Sequence, residues 1–273
     1  MVEQGHDESP TGYIVHHLKH LKVGDGFWTF HVDTLLVSGA LAALVAYVLY
    51  CGARSGARVS GAPSGLRAVV EWIYEFVDDS VADIYHGNRS FLVALGFSLF
   101  TWVVAMNAMD LLPLDVPGTV AGFFGAEFFR AVPTADLNGT VAMALVIFTL
   151  IVGYAIRAKG IGGYLHEWIS APFGSNPLLW LPNILLNAIE LISKPISLSM
   201  RLFGNMYSGE ILFMLIALLG MGFAVSIGGI ALFIGQVVFG AAWSIFHILI
   251  VLLQAYIFMM LPIVYIAMAE EHH

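Results

Sequence analysis

The segment SLSMRLFGNMYSGE, residues 197–210, places a permanently charged residue, Arg201, deep inside an apolar region that covers 178–219. A second apolar region covers 229–268. Each region is about forty residues long, so a continuous helix would measure roughly 60 Å against a hydrocarbon core of about 30 Å. Neither helix fits upright in a bilayer. The sequence therefore predicts two long antiparallel helices that are strongly tilted, kinked or broken.

The composition is that of a membrane protein. Of the 273 residues, 59% are hydrophobic and only 11% are charged, and the mean hydropathy is +0.85. A soluble domain with so little charge would lack a surface that water can solvate. The net charge of −8 is accompanied by only 11 lysine and arginine residues, which form no basic tract. We therefore expect no nucleic-acid partner.

Three shorter apolar segments precede the long pair, at 34–51, 90–113 and 139–156. Each is long enough to cross the hydrocarbon as a helix. Residues 65–85 instead carry apolar side chains at three- and four-residue steps and acidic side chains elsewhere, which predicts an amphipathic helix on the membrane surface or against a partner. We expect residues 1–273 to form a single polytopic, all-α membrane domain with about five transmembrane helices and one amphipathic surface helix.

The distribution of lysine and arginine predicts the orientation. If five spans alternate, six of these residues fall on one side of the membrane and three on the other, and the more positive side is normally cytoplasmic. The N-terminus is therefore expected outside and the C-terminus in the cytoplasm. The linker at 160–177 is rich in glycine and proline, which predicts a loop with a short interfacial piece.

Polar residues recur at three- and four-residue steps along the first long helix and form one stripe. The members are Glu190, Lys194, Ser197, Arg201, Asn205 and Ser208. A charge in lipid costs several kcal/mol, so the stripe is expected to face a water-filled cavity or another protein. Arginine keeps its proton even when it is desolvated, whereas a buried lysine can lose it. Arg201 is therefore suited to block proton flow, and it can still pair transiently with a moving carboxylate.

Glu210 follows Arg201 by nine residues, which is about 180° around an ideal helix. We expect it to point away from the arginine stripe, to have no cation nearby, and to bind and release a proton reversibly. His247 and Gln254 are seven residues apart on the last helix and share one face. Antiparallel pairing of the two long helices would set Glu210 level with His247 and Arg201 level with Gln254.

Plainer interpretations of these residues stay open at this point. Arg201 is also compatible with a structural ion pair within the bundle, and Glu210 and His247 with a buried hydrogen-bonded pair that serves only stability. Several histidines lie on the terminal segments, where solvated side chains are expected rather than metal ligands. They are His16, His17, His20, His272 and His273.

The two long segments carry motifs of a known family. KPISLSMRLFGNMYSGE at 194–210 and FHILIVLLQAYIF at 246–258 resemble subunit a of the F-type ATP synthase. Shorter stretches extend the resemblance over nearly the whole chain in the right order. They are YIVHHL at 13–18, DIYHG at 83–87, NAMDLLP at 107–113, VPTADLN at 132–138 and KGIGGY at 159–164.

The resemblance implies a role in proton transport for Arg201. The matching arginine faces the essential carboxylate of each rotating c-subunit, releases it from its locked state, and blocks a short circuit between two half-channels. Asn205 and Gln254 match residues that flank this arginine. The subunit would convert proton flow into rotation of the rotor while ATP is made elsewhere in the complex, so no catalytic residue, metal or cofactor is expected.

The resemblance also implies residues for each half-channel and a set of partners. The outer half-channel would use Glu210, His247, Asn107, Asp110 and Asp115. The resemblance is less specific for the inner half-channel, for which it implies Glu190, Ser193 and Asn187. At the position of Asn187 some bacterial relatives carry an acid. The implied partners are the c-subunit ring, the b-subunit peripheral stalk, the rest of the synthase and the lipid bilayer. A bacterial inner membrane is the implied location.

Other function classes lack their usual sequence features. A self-contained ion channel or secondary transporter with an intramembrane arginine gate is the main alternative, but no inverted repeat or selectivity loop is visible. An intramembrane enzyme would need a nucleophile–base set or a zinc motif, and neither HExxH nor GxSxG occurs. The motif pattern therefore favours the ATP synthase subunit.

Overall fold

The computed structural model describes residues 12, 18–24, 26–55, 65–113, 115–123, 125, 129–221 and 226–271. This part of the chain contains seven α-helices and one short antiparallel hairpin. The helices are α1 (Val32–Ser55), α2 (Leu66–Ala82), α3 (Ser90–Ala108), α4 (Asp115–Phe123), α5 (Leu137–Ser170), α6 (Trp180–Met221) and α7 (Ile227–Glu271). In the hairpin, Lys22 of β1 (Lys22–Val23) pairs with His31 of β2 (Phe30–His31).

Five helical segments are long and apolar enough to cross a membrane. They are Val32–Arg54, Ser90–Leu111, Leu137–Ser170, Pro177–Gly220 and Ile227–Ala269. The prediction of an all-α membrane protein with five transmembrane helices is therefore confirmed.

The two long helices are continuous rather than broken. Helix α6 has 42 residues and α7 has 45, and each runs through an internal proline, Pro195 and Pro262 respectively. At 1.5 Å per residue α6 measures about 63 Å, twice the hydrocarbon thickness. Tilt is therefore the way in which helices of this length stay covered by lipid.

Helix α5 changes direction at Gly160, whose φ of 70° and ψ of 162° are not helical. A positive φ is strained for residues with a side chain, so glycine is required at this bend. Beyond it the chain is helical again as far as Ser170, and Lys159 forms an ion pair of 2.7 Å with Glu167 across the bend. The predicted loop at 160–177 is therefore wrong over its first half, because only one residue interrupts the helix.

The chain divides into two compact units. Unit 1 comprises residues 1–45, 102–139 and 203–254, and unit 2 comprises 46–101, 140–202 and 255–273. Each of the five long helices contributes one part of its length to each unit.

Unit 2 has an apolar core to which the amphipathic helix α2 contributes. The fully buried Val77 and Val81 of α2 pack there with Met259 and Ile263 of α7. On the other side of α2, Trp72 is 69% exposed. Burial of Val77 and Val81 with exposure of the acidic Glu75 and Asp79 confirms that α2 is amphipathic.

Within unit 1, helices α6 and α7 pack antiparallel through small residues. The position of a Cβ on Gly209 would meet His247, one on Gly220 would meet Gln236, and one on Gly240 would lie 3.7 Å from Ile216. The contacting residues have rising numbers along α6 as their partners on α7 have falling numbers, which confirms the predicted antiparallel pairing. His247 lies level with Gly209, one residue from the predicted register with Glu210.

Candidate functional site

A buried ion pair lies at the centre of unit 1. The Nε of Arg130 donates to both carboxylate oxygens of Glu210, at 3.2 and 3.0 Å, and the Nη2 of Arg130 also donates to Oε2. Both residues are only 5% exposed. Two-point binding of a carboxylate by a guanidinium is the strongest form of this hydrogen bond. The guanidinium thus holds the Glu210 carboxyl group in a fixed orientation.

This pair corrects the prediction that Glu210 has no cation nearby. Arg130 stands 80 residues earlier, in the extended segment before the 3₁₀ turn Pro133–Ala135. The angle between two residues around one helix predicts only which residues of that helix are neighbours. The contact of Glu210 with Arg130 could therefore not be predicted from positions along α6. From the sequence alone, Arg130 is only one of the three positive residues expected on the outer side.

A second buried pair joins α7 to the end of α3. Nε2 of His247 lies 2.7 Å from Oδ2 of Asp110, in the 3₁₀ turn Met109–Leu111 that directly follows α3. The imidazole stands edge-on to Phe213, with ring centroids 5.3 Å apart, and packs beside Trp243. The interpretation that Glu210 and His247 pair with each other is therefore wrong, because each has another partner.

Gly209 makes room for the His247 side chain. A Cβ at this position would lie 2.9 Å from Nδ1 of His247 and 3.0 Å from Oδ2 of Asp110. Small residues such as Gly204 and Gly209 allow a neighbouring element to approach the helix closely. The approach occurs at Gly209, whereas nothing lies within 4 Å of a Cβ at Gly204.

Several buried polar atoms of unit 1 have no hydrogen-bond partner within the described part of the chain. They are both side-chain polar atoms of Asn107, both carboxylate oxygens of Asp110, and both ring nitrogens of His247. The Asp110–His247 contact is thus close in distance without being an aligned hydrogen bond. Buried polar atoms are normally satisfied by protein or water, so this cluster has the capacity to bind water or a migrating proton.

Two cavities reach Asp110. A cavity of about 30 Å³, large enough for a water molecule, is lined by Asp110, Arg130 and Glu210 among others. A larger cleft of about 460 Å³ also reaches Asp110 and is bordered by Gln236 and Ser244 of α7. Asp110 therefore lines both spaces.

Arg130 continues into a further polar network that the sequence analysis missed. Its Nη1 lies 3.0 Å from Nε2 of His20, and its backbone N–H donates to Oδ2 of Asp33 at 3.2 Å. Asp33 is fully buried and also accepts the backbone N–H groups of Leu21 and Thr34. The available signal was an acid at the very start of an apolar span. The prediction of a solvated His20 is wrong, since its side chain is 10% exposed; His16, His17, His272 and His273 lie outside the described residues.

Arg201 lies on α6 in unit 2 and is exposed, as are Ser197 and Glu190 of the predicted stripe. It forms no ion pair with another described residue of its unit. The buried side of α6 carries Leu198 and Leu202 instead. An arginine that a membrane helix turns outward is costly in lipid.

Lys194, the other cation of the stripe, is held within the chain. Its Nζ lies 2.8 Å from Oε1 of Glu190 and 4.7 Å from the centroid of the Tyr265 ring. An ion pair and a cation–π contact account for its charge. Arg201 and Lys194 therefore differ, although both lie on the same stripe.

The remaining predicted residues occupy varied environments. Asn187 donates to the backbone carbonyls of Trp168 at 3.3 Å and Ala171 at 2.9 Å, and so ties α6 to the end of α5. The hydroxyl of the exposed Ser193 donates to the Glu190 carbonyl at 2.9 Å.

In unit 1, Asn205 is half-buried on α6 and Gln254 is buried on α7. Asp115 begins α4, and its side chain lies outside the described structure.

Comparison with known proteins gives a consistent result. The model of the family described as ATP synthase A chain matches residues 35–267. The chain is 45% identical to ATP synthase subunit a of Alkalilimnicola ehrlichii over 260 residues, which cover 95% of this chain and 96% of the relative. It is 43% identical to ATP synthase subunit a of Shewanella amazonensis over 275 residues and the full length of both.

Proposed function

The chain belongs to the ATP synthase subunit a family, whose members are the proton-translocating stator of the F-type ATP synthase, and we propose that its two buried ion pairs form the inner part of the outer half-channel. The observation that carries this proposal is the convergence of Arg130, Glu210, Asp110 and His247 in one unit. These side chains come from separate segments and are all buried. A membrane protein that needs only stability gains little from such charges, so their use is functional.

The two pairs have different tasks in this proposal. Asp110 and His247 contact without an aligned hydrogen bond, and Asp110 lines water-accessible space, so the pair is suited to bind and pass on a proton. Glu210 is fixed by Arg130, and a proton that reaches it displaces one of the charged hydrogen bonds. Glu210 therefore takes up a proton only when it gives up a hydrogen bond to Arg130. Asn107 belongs to the same path, and Asp115 lies at its mouth.

Arg201 acts at the other end of the path, against a partner chain. We assign it to the carboxylates of the rotating c-subunit ring, because it is exposed on α6 and has no ion pair among the described residues of its unit. A protonated rotor carboxyl is neutral and can move through lipid, whereas an ionised one is held near the arginine. Asn205 and Gln254 flank this contact.

The inner half-channel returns the proton to the cytoplasm. We keep Glu190, Ser193 and Asn187 as its candidates, of which Glu190 and Ser193 are exposed on α6. A membrane potential of about 100 mV contributes about 2.3 kcal/mol for each charge that crosses, which biases the rotation.

The chain itself has no catalytic role in this proposal. It is fixed to the b-subunit peripheral stalk and the rest of the synthase, in the inner membrane of a bacterium, with its N-terminus outside and its C-terminus in the cytoplasm. The supports are the relatives from bacteria named ATP synthase subunit a and the distribution of positive charge between loops.

The variant Arg201→Ala tests the proposal in membranes that contain the whole synthase. ATP-driven proton pumping, followed with a pH-sensitive dye in inverted vesicles, should be lost because the rotor carboxylate has no cation to meet. The matched control is Lys194→Ala, which removes a cation from the same stripe and should keep most pumping. Normal coupled pumping by Arg201→Ala would refute the assignment.

A further inference from the structure

Three side chains with metal-binding atoms meet at the N-terminal end of α1, where Nε2 of one of them, His20, lies 3.0 Å from Nη1 of Arg130. His20 precedes β1, His31 ends β2, and Asp136 directly precedes α5. One possible ligand atom of each lies within 4.8 Å of the others. The Nδ1 of His31 is 2.7 Å from Oδ2 of Asp136, and the two imidazoles stack with centroids 4.2 Å apart. The fold thus gathers groups that are distant in sequence.

Neighbouring groups hold these three side chains in place. The hydroxyl of Thr34 donates to Oδ2 of Asp136 at 2.9 Å, and the backbone N–H of Asn138 donates to its Oδ1 at 3.0 Å. His20 is oriented by Asp33, whose Oδ2 lies 3.2 Å from Nδ1. Carboxylates and hydroxyls that orient ligands in this way are typical of metal sites in proteins.

We propose that His20, His31 and Asp136 bind a divalent transition-metal ion of the zinc class. Two imidazoles and one carboxylate are a usual ligand set for Zn²⁺ with a fourth position left to water. Imidazole favours zinc, nickel and cobalt over magnesium and calcium. The side chains of His20 and His31 are 10% and 16% exposed, so an ion can reach them.

Binding requires a small local rearrangement. Ligand atoms around zinc lie about 2.0 Å from the metal and so about 3.3 Å from one another. The lone pair of an imidazole nitrogen lies in the ring plane, and two parallel rings cannot both point at one ion between them. At least one histidine ring must therefore turn out of the stack toward Asp136. Nε2 of His20 lies 3.0 Å from Nη1 of Arg130 and its Nδ1 lies 3.2 Å from Oδ2 of Asp33, so ligation through either nitrogen displaces one of these contacts.

Titration of the purified intact synthase with Zn²⁺, in competition with a fluorescent zinc chelator, tests the site. His31→Asn and Asp136→Asn keep the size of the side chain and should each weaken one zinc site by at least ~10-fold. His86→Asn alters an exposed histidine before α3 and is the matched control, with no expected loss. Equal zinc affinity in the wild type, His31→Asn and Asp136→Asn would overturn the proposal, as would an equal loss in His86→Asn.

A cobalt spectrum provides a readout that folding defects cannot imitate. In His31→Cys the new thiolate should ligate Co²⁺ and give a sulfur-to-metal charge-transfer band that the wild type lacks. Assembled His31→Cys synthase that binds Co²⁺ without this band would overturn the site. Both measurements concern binding and not proton transport, so their outcome is independent of the half-channel assignment.

Discussion

Arg130 and Glu210 are 80 residues apart in sequence, and the guanidinium of the first donates hydrogen bonds to both carboxylate oxygens of the second in the interior of unit 1. A charge pair at this depth is expensive to break, because either partner left alone is an uncompensated buried charge. The pair therefore both fixes the loop before α5 and sets the state of the carboxylate that a proton would reach.

Removal of the Arg130 side chain should destabilise the protein. We expect Arg130→Ala to cost about 3–5 kcal/mol, because Glu210 loses its guanidinium partner in a buried position. Thermal denaturation of the detergent-solubilised synthase, scored by loss of this chain from the complex, measures the effect. Arg54→Ala is the control, since Arg54 is exposed and bonds only Tyr50 in the described structure.

The double variant Arg130→Gln/Glu210→Gln separates charge from packing. Two neutral amides of similar size can hydrogen bond to each other, so the double variant should be more stable than the sum of the single effects by about 1–3 kcal/mol. Strict additivity of the two single substitutions would contradict the pairing.

The contact between Asp110 and His247 should control the rate of proton flow. Asp110→Asn and His247→Gln each remove a group that binds a proton, and we expect each to slow flow by about 100-fold or more. The exchange variant Asp110→His/His247→Asp restores both groups and should recover part of the rate. Wild-type rates in both single variants would remove this pair from the path.

Gly209 should tolerate a methyl group poorly. Gly209→Ala places a Cβ 2.9 Å from Nδ1 of His247 and 3.0 Å from Oδ2 of Asp110, so we expect a loss of about 1–3 kcal/mol together with slower proton flow. Gly204→Ala, five residues earlier on α6, meets nothing within 4 Å and serves as the control. Similar effects of the two substitutions would show that helix flexibility matters rather than this contact.

Exposure on α6 predicts which positions touch the rotor. A cysteine at Ser197, on the exposed stripe with Arg201, should form a disulfide with a cysteine placed beside the rotor carboxylate. A cysteine at Ser199, which is only 2% exposed, should not. The crosslinked product on a non-reducing gel measures the difference, and equal crosslinking at both positions would argue against the assigned face.

Much of this architecture could be predicted from the apolar pattern. Span length, the amphipathic pattern at 65–85 and the two overlong segments depend on local sequence, so five spans, α2 and the antiparallel pair α6–α7 were foreseen. The polar stripe was expected to face a water-filled cavity or another protein, and its members Glu190, Ser197 and Arg201 are exposed.

The partners of the buried charges could not be predicted in the same way. Glu210 pairs with an arginine from a loop, and His247 with an acid from the turn after α3, so both contacts depend on tertiary packing. A helical count cannot detect partners on other segments. Gly160 was misjudged for a related reason, since one glycine with positive φ bends α5 without ending it.

The most direct test of the outer half-channel is passive proton flow through the membrane sector of the synthase, reconstituted in liposomes and driven by a potassium diffusion potential. We expect Glu210→Gln to lower the rate at least ~10-fold while the sector stays assembled, because the neutral amide cannot take up a proton at this station. Glu75→Gln, which alters an exposed acid on α2, should conduct like the wild type. Unchanged proton flow in Glu210→Gln would contradict the assignment of Glu210 to the path.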